Sequence, residues 1–169
     1  SDMAQENNSA VYQYVFGEKK LLINEINVDN NNFWLDEWIE LVNLSDFPLN
    51  LKSWTIFDGT ENELAEEEYW LEKGEYLILC KDRNIFNYNG NCKILEKISS
   101  LGNSNDKIVI YDEIGTVVDS LHYFTGWIND TDKSLERKNL YDDTNNMENW
   151  DLPLENFFGE AQVVSINQI

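Results

Sequence analysis

The chain has 169 residues, 42% of them hydrophobic, which is enough for one hydrophobic core and too little for two comfortable domains. Twelve Lys and Arg residues against 32 Asp and Glu residues give a formal net charge of −20, which disfavours binding to bare nucleic acid and suits cations or basic protein partners. No run of about 18 apolar residues occurs, so the sequence predicts no transmembrane segment.

The polar, Asn-rich start of the chain indicates a segment outside the fold. Residues 1–17 are predicted to be disordered, a linker or a cloning remnant. Residues 18–158 are predicted to form one domain, and residues 159–169 a C-terminal tail whose packing the sequence does not predict.

Short β-rich runs follow in the first half of the domain. Residues 21–26 and 37–42 predict two half-buried strands, and in the second Ile39 and Leu41 lie on one face with Trp38, Glu40 and Val42 on the other. The connection between them is Asn-rich loop sequence that also holds the apolar pair Phe33 and Trp34. Residues 49–57 predict a third strand.

The middle of the chain is less uniform. A turn is predicted at Asp58-Gly59, and the acidic residues 61–68 are expected to fray or to cover a sheet edge. Residues 76–80 predict another strand. Residues 82–104 are the least regular part, and a short helix and a loop both fit residues 84–90.

The second half gives the clearest supersecondary signal. Residues 108–111 and 116–123 predict a hairpin whose turn uses Gly115 in the left-handed region. A short strand is predicted at residues 133–138, followed by a polar loop at residues 139–149. Many short strands without helical patterns predict an all-β sandwich or barrel.

Six runs of the chain resemble a lamin tail domain in order and spacing: LINEI at 22–26, EWIELVN at 37–43, LKSWTI at 51–56 with Asp58-Gly59 after it, LEKGEYLIL at 71–79, LGNSNDKIVI at 101–110 and GTVVDS at 115–120. The closing runs SLER at 134–137 and NW at 149–150 are similar to the prokaryotic branch of this family. Asp151-Leu152-Pro153-Leu154 departs from the Thr-Pro-Gly-like turn with which prokaryotic members often end.

The resemblance covers about residues 20–152 and implies an immunoglobulin-like β-sandwich that serves as an interaction domain and has no catalytic residues. It also implies that Trp54 and Trp150 pack in the core. Relatives attach such domains to intermediate filaments, secreted nucleases or cell-surface proteins. No coiled-coil heptads or basic localisation cluster support a filament role in this chain.

The expected function is therefore a non-catalytic domain of an envelope or secreted protein that binds a protein or a glycan. The alternatives are a calcium-stabilised adhesion module and an accessory targeting domain of a larger hydrolase or nuclease. An extracellular or envelope location is expected, with a cytoplasmic one as the alternative. The domain is expected to be a monomer or a weak homodimer.

Exposed aromatic residues are the first candidates for ligand binding. Trp34, Trp38 and Trp127 fall at predicted loops or strand edges, where binding surfaces often form on sandwiches. Core packing explains such tryptophans as well.

Calcium is the candidate cofactor. Hard cations prefer several carboxylate and amide oxygens, and two loops supply them: Asp130, Asp132, Asp142, Asp143 and Asn145. Ordinary turn chemistry accounts for the same residues.

Neither histidine nor paired acids indicate catalysis. The single histidine, His122, lies within a predicted strand. Glu25, Glu37 and Glu40 are in segments that could be neighbours, but 32 acidic residues make coincidental proximity common.

Cys80 and Cys92 have too few soft ligands around them for zinc. They leave two alternatives open, a disulfide and two buried thiols.

Overall fold

The computed structural model describes residue 18 and residues 20–28, 37–81, 93–124, 126–127, 134–141 and 146–151. Within these ranges the regular structure is β, apart from one short 3-10 turn at Met147–Asn149. The strands are β1 (Leu21–Asn27), β2 (Trp38–Asn43), β3 (Leu49–Asn50), β4 (Thr55–Phe57), β5 (Glu61–Glu63), β6 (Trp70–Leu71), β7 (Tyr76–Cys80), β8 (Lys93–Glu96), β9 (Asn105–Tyr111), β10 (Val117–Phe124), β11 (Leu135–Arg137) and β12 (Trp150–Asp151).

The strands form two main sheets and one small ribbon. The larger sheet has the order β12-β11-β1-β2-β7-β8, and the smaller one has the order β10-β9-β4-β5. Strands β3 and β6 form the two-stranded ribbon. All described pairs are antiparallel except β7 with β8. The predicted all-β class is confirmed.

The main core contains the inward residues of both sheets. Ile23, Leu41, Ile56, Ile110 and Leu121 belong to one buried cluster that both sheets supply. Burying these branched aliphatic side chains is the main stabilising contribution, at roughly 1.5–3 kcal/mol per side chain. The core therefore closes a sandwich of two layers.

Strand β2 differs from the half-buried prediction. All six of its residues are buried, because its second face is also packed. On that face Trp38, Ile78 and Cys80 form a separate apolar cluster, with the partly buried Ile94 against it. Both faces of β2 are therefore buried, and its outer face places Trp38 in the second apolar cluster and Glu40 where it accepts a hydrogen bond from the Asn24 side-chain amide at 2.8 Å.

The predicted third strand at residues 49–57 is two strands in different sheets. Ser53 has φ of 60°, which few residues other than glycine adopt, and the chain turns there. The backbone N–H of Ser53 donates to Ala65 O at 2.9 Å. The acidic segment that follows begins with β5, which pairs with β4 and forms the edge of the smaller sheet.

The predicted hairpin is confirmed and extends further than expected, as β9 and β10. Gly115 has φ of 80° in the turn, as predicted. The Asp112 carboxylate accepts hydrogen bonds from the backbone N–H groups of Ile114 and Thr116, at 3.1 and 2.8 Å. The turn is thus held by a side chain as well as by its glycine.

Strand β8 lies within the segment whose structure the sequence did not predict. It runs parallel to β7, with Leu77 opposite Lys93 and Cys80 opposite Glu96. Parallel pairing needs a long connection, which has no local sequence signal. Trp54 and Trp150 are both buried, as the resemblance implied.

Candidate functional site

A turn at the end of β10 positions Trp127. Gly126 has φ of 99°, a backbone conformation that favours glycine, and the N–H of Trp127 donates to Phe124 O at 3.0 Å. The indole of Trp127 is half-buried and packs against the main core. One part of this ring is therefore anchored and the rest faces solvent.

A cleft of about 540 Å³ opens beside this ring. We call it the Trp127 cleft. The described residues that line it are Trp127, Leu135, Lys138, Asn146, Met147, Glu148, Trp150 and Asp151. Apolar side chains next to an amide, an ammonium group and two carboxylates are the usual composition of a binding cleft.

The wall of the cleft is fixed by β11 and β12. Arg137 lies opposite Trp150 in the register, and its guanidinium stands 5.1 Å from the Trp150 ring centroid. Trp150 is 3% exposed, so it forms the floor of the cleft and does not offer a free ring face. The N–H of Lys138 donates to Asn149 O at 2.8 Å, which holds the 3-10 turn against β11.

A buried ion pair anchors this wall to the smaller sheet. Arg137 Nη2 lies 3.1 Å from Asp119 Oδ2, and both side chains are nearly inaccessible to solvent. The Ile23 N–H donates to Asp119 Oδ2 at 2.7 Å, and Arg137 Nε donates to Ile23 O at 2.9 Å. The two side chains thus form hydrogen bonds with the backbone N–H and C=O of Ile23, in addition to the strand pairing between β1 and β11.

Three rings continue the cleft along the outer face of β10. We call His122, Phe124 and Trp127 the aromatic strip. The His122 and Phe124 centroids are 4.1 Å apart with planes at 43°, and Phe124 and Trp127 are 6.5 Å apart at 61°. Phe124 is 48% exposed although it is a large apolar side chain.

A second polar feature is a row of carboxylates on the outer face of the larger sheet. Glu40, Glu25, Glu136 and Asp151 stand opposite one another across four adjacent strands. Burial is the main cause that raises the pKa of Glu25 to about 8, together with the neighbouring charges of Glu40 and Glu136, although the hydrogen bond that the Ser134 hydroxyl donates to it acts in the opposite direction. Burial also raises the pKa of Glu136, with a contribution from Asp151.

This row binds a proton at neutral pH. Glu25 is protonated in the folded domain at pH 7, which avoids a charge between Glu40 and Glu136 in a poorly solvated place. Glu25 and Glu40, which the sequence indicated as possible neighbours, are opposite each other, whereas Glu37 accepts a hydrogen bond from Leu101 N at 2.9 Å. Across the described ranges, no group of three or more His, Cys, Asp or Glu residues could hold a metal ion.

The structure distinguishes the three tryptophans that the sequence proposed for ligand binding. Trp127 lines the cleft. Trp38 does not reach the surface, because it is 1% exposed within the second apolar cluster, and the expectation of a surface ring there is corrected. Trp34 lies outside the described residues, as do Asp130, Asp132, Asp142, Asp143 and Asn145, so the calcium site remains a prediction.

Sequence reasoning overlooked Phe124 and Met147, which are 48% and 45% exposed. A signal for Phe124 was present. Leu121 and Tyr123 point into the core, so the alternation of a strand sends His122 and Phe124 to the other face. For Met147 no comparable signal exists, because the three-residue 3-10 turn that contains it is too short for a repeating pattern of apolar residues.

Cys80 is buried at the end of β7. Cys92 lies outside the described residues, so the disulfide remains a prediction.

Comparisons with known proteins agree with the geometry. No helix of the described ranges is long and apolar enough to span a bilayer. No curated protein matches the chain. The family model described as Lamin Tail Domain matches residues 16–125, which is more than half of the chain. That family is a non-catalytic, immunoglobulin-like interaction domain. The chain belongs to the lamin tail domain family.

Proposed function

We propose that this domain binds a protein partner through the aromatic strip and the Trp127 cleft. The observation that carries the proposal is the continuity of exposed Phe124, half-buried Trp127 and exposed Met147 on one end of the sandwich. Aromatic residues and Met are enriched in protein interfaces, and Met adapts its shape to different partners. Family membership supports an interaction role in general.

The geometry of the rings favours a protein over a glycan. Sugar rings stack on flat aromatic faces, whereas the planes of the strip are inclined by 43° and 61°. The face of Trp150 is covered by Arg137 and offers no second platform. An uneven apolar surface with a polar rim of Lys138, Glu148 and Asp151 suits side chains of a polypeptide.

A matched pair of substitutions tests the proposal. Random dodecapeptides displayed on phage would be selected against the wild-type chain, and the tightest binder would be titrated as a soluble peptide by calorimetry. Phe124→Ala should weaken binding by about tenfold or more, because truncating an aromatic anchor removes a central contact. Trp70→Ala should leave binding unchanged, since Trp70 is 49% exposed but lies on β6.

Three outcomes would contradict the proposal: no enriched peptide, equal loss in both variants, or a glycan array that binds in place of peptides. The envelope or secreted context, the calcium-stabilised adhesion module and the hydrolase accessory domain remain predictions from the sequence. No contact among the described residues favours either alternative function.

A further inference from the structure

Strand β10 is the longest strand that ends a sheet. It has eight residues and is terminal in the order β10-β9-β4-β5. Within the described part of the chain, no strand pairs with β10 on the side away from β9. A strand in this position presents backbone N–H and C=O groups to an incoming strand.

The other described edges carry the usual protection against strand pairing. β12, β3 and β6 have two residues each, and β5 has three, of which Glu61 and Glu63 are exposed acids. β8 has four residues and begins and ends with the charged Lys93 and Glu96. Short length and charge are the means by which proteins prevent edge-to-edge association.

In β10, the features that prevent strand pairing are confined to the first half of the strand. A register irregularity lies between Val117 and Asp119, and Asp119 is an inward-pointing charged residue. From Leu121 to Phe124 the strand has no Asp, Glu, Lys or Arg, no proline and no register irregularity. The unprotected half is the half that carries the aromatic strip.

We propose that residues 121–124 of β10 accept an extended, basic segment of a partner protein as an additional antiparallel or parallel strand. This inference rests on the proposed function and specifies its mode of binding. Backbone hydrogen bonds supply affinity in strand addition, and pockets for alternate side chains supply specificity. His122 and Phe124 flank the added strand, and the Trp127 cleft receives side chains beyond its end.

Charge selects the partner and opposes a second copy of this chain. Two copies pairing through β10 would bring together two net charges of −20, whereas a basic segment is attracted by the same field. On the rim of the cleft, which also carries Lys138, the exposed Glu148 is an acceptor for its Lys or Arg residues. The occupant is therefore a segment with alternating apolar residues and a positive net charge.

The mode is tested with the same selected dodecapeptide on the full chain labelled with ¹⁵N. Amide hydrogen exchange would be followed by NMR without and with the peptide. Strand addition predicts that alternate amides between Leu121 and Phe124 become protected at least about tenfold, because their N–H groups enter a new ladder. Binding by side chains alone leaves those amides unchanged and would overturn the inference while the proposed function stands.

Two lysine substitutions check independently that the peptide binds at β10 and not at another sheet edge. His122→Lys places a charge on the unprotected edge and should weaken peptide binding by about tenfold. Asn62→Lys adds the same charge on the β5 edge and should leave binding unchanged. Equal effects of the two variants would show that charge alone acts and would overturn strand addition.

The selection itself tests the chemistry of the partner. Enriched peptides should carry a positive net charge and apolar residues at alternate positions. Two results would overturn the inference that the partner segment is basic. One is an acidic consensus among the selected peptides. The other is protection of β10 amides by self-association as the protein concentration rises. Absence of any binding peptide would refute the proposed function together with its mode.

Discussion

Glu25 shows how a residue typical of the surface is accommodated inside. It stands between Glu40 and Glu136 in the register, and its carboxyl is almost fully buried. Burial of an isolated carboxylate costs several kcal/mol, so the group remains neutral and accepts a hydrogen bond from Ser134. The sequence showed only a strand with a glutamate in it, because burial of β1 on both faces arises from packing between distant segments.

Replacement of Glu25 by glutamine should remove a pH dependence of stability. The pKa of Glu25 is about 8 in the folded state, against an ordinary value of 4.5 for a solvated glutamate, so the folded chain binds more protons than the unfolded chain between these values. The free energy of unfolding of the wild type should therefore fall as pH rises from about 4.5 to about 8, and then level off.

Glu25→Gln mimics the neutral carboxyl and should be the more stable protein at about pH 8.5, by a few kcal/mol, since a tenfold change in a protonation constant corresponds to about 1.4 kcal/mol. Urea unfolding at about pH 5 and about pH 8.5 measures the difference. Glu63→Gln, at an exposed position of β5, is the control and should keep the slope of the wild type. A wild type that gains stability across this range would contradict the assignment.

At the scale of elements, sequence patterns predicted strands well and their partners poorly. The β9–β10 hairpin was predictable because its turn and alternation are local. The division of residues 49–57 between two sheets was not, since the turn uses Ser53 in a conformation that its residue type does not indicate. Of the candidate site, Trp127 was predictable, but Met147 and the cleft depend on how β12 meets β11.

The last two strands should be indispensable although they lie beyond residue 125, where the family match ends. A chain that stops at residue 127 lacks Leu135, Arg137 and Trp150, all of which are buried. Asp119 would then stay buried without its guanidinium, at a cost of roughly 3–5 kcal/mol. Loss of a buried Trp adds about 3–5 kcal/mol, and typical domains have only about 5–15 kcal/mol in total.

We therefore expect the chain that ends at residue 127 to be unfolded, as judged by narrow amide dispersion in NMR and no cooperative thermal transition. The control is a chain that starts at residue 18, which lacks the segment predicted to lie outside the domain and should unfold cooperatively. A cooperative transition near the wild-type temperature in the shortened C-terminal variant would show that β11 and β12 are dispensable.

At the scale of the whole molecule, a net charge of −20 on 169 residues opposes compaction. Few counter-charges are available, since only 12 Lys and Arg residues are present and Arg137 is used inside. The exposed ion pair between Lys73 Nζ and Asp46 Oδ1, at 2.6 Å, contributes little to stability in water. Self-repulsion should therefore be visible in how the domain responds to salt.

The melting temperature should rise by a few degrees when NaCl increases from about 10 mM to about 200 mM, because the screening length falls from about 30 Å to below about 10 Å. Differential scanning calorimetry at several salt concentrations measures this. Calcium chloride at matched ionic strength is the control for a specific site. A further rise with calcium would support the predicted site at Asp130, Asp132, Asp142, Asp143 and Asn145, and a melting temperature indifferent to NaCl would contradict the self-repulsion.

The hydrogen bonds that Asp119 and Arg137 make with Ile23 also determine how late in protein synthesis β1 can complete its contacts. They join residues that are 96 and 114 positions apart, so β1 cannot be completed until β11 has left the ribosome. At about 5–20 residues per second, this delay is on the order of ten seconds. During that interval β1 can already pair with β2, but its contacts with Asp119 and Arg137 are missing, so the strand is less stable in the nascent chain than in the finished domain.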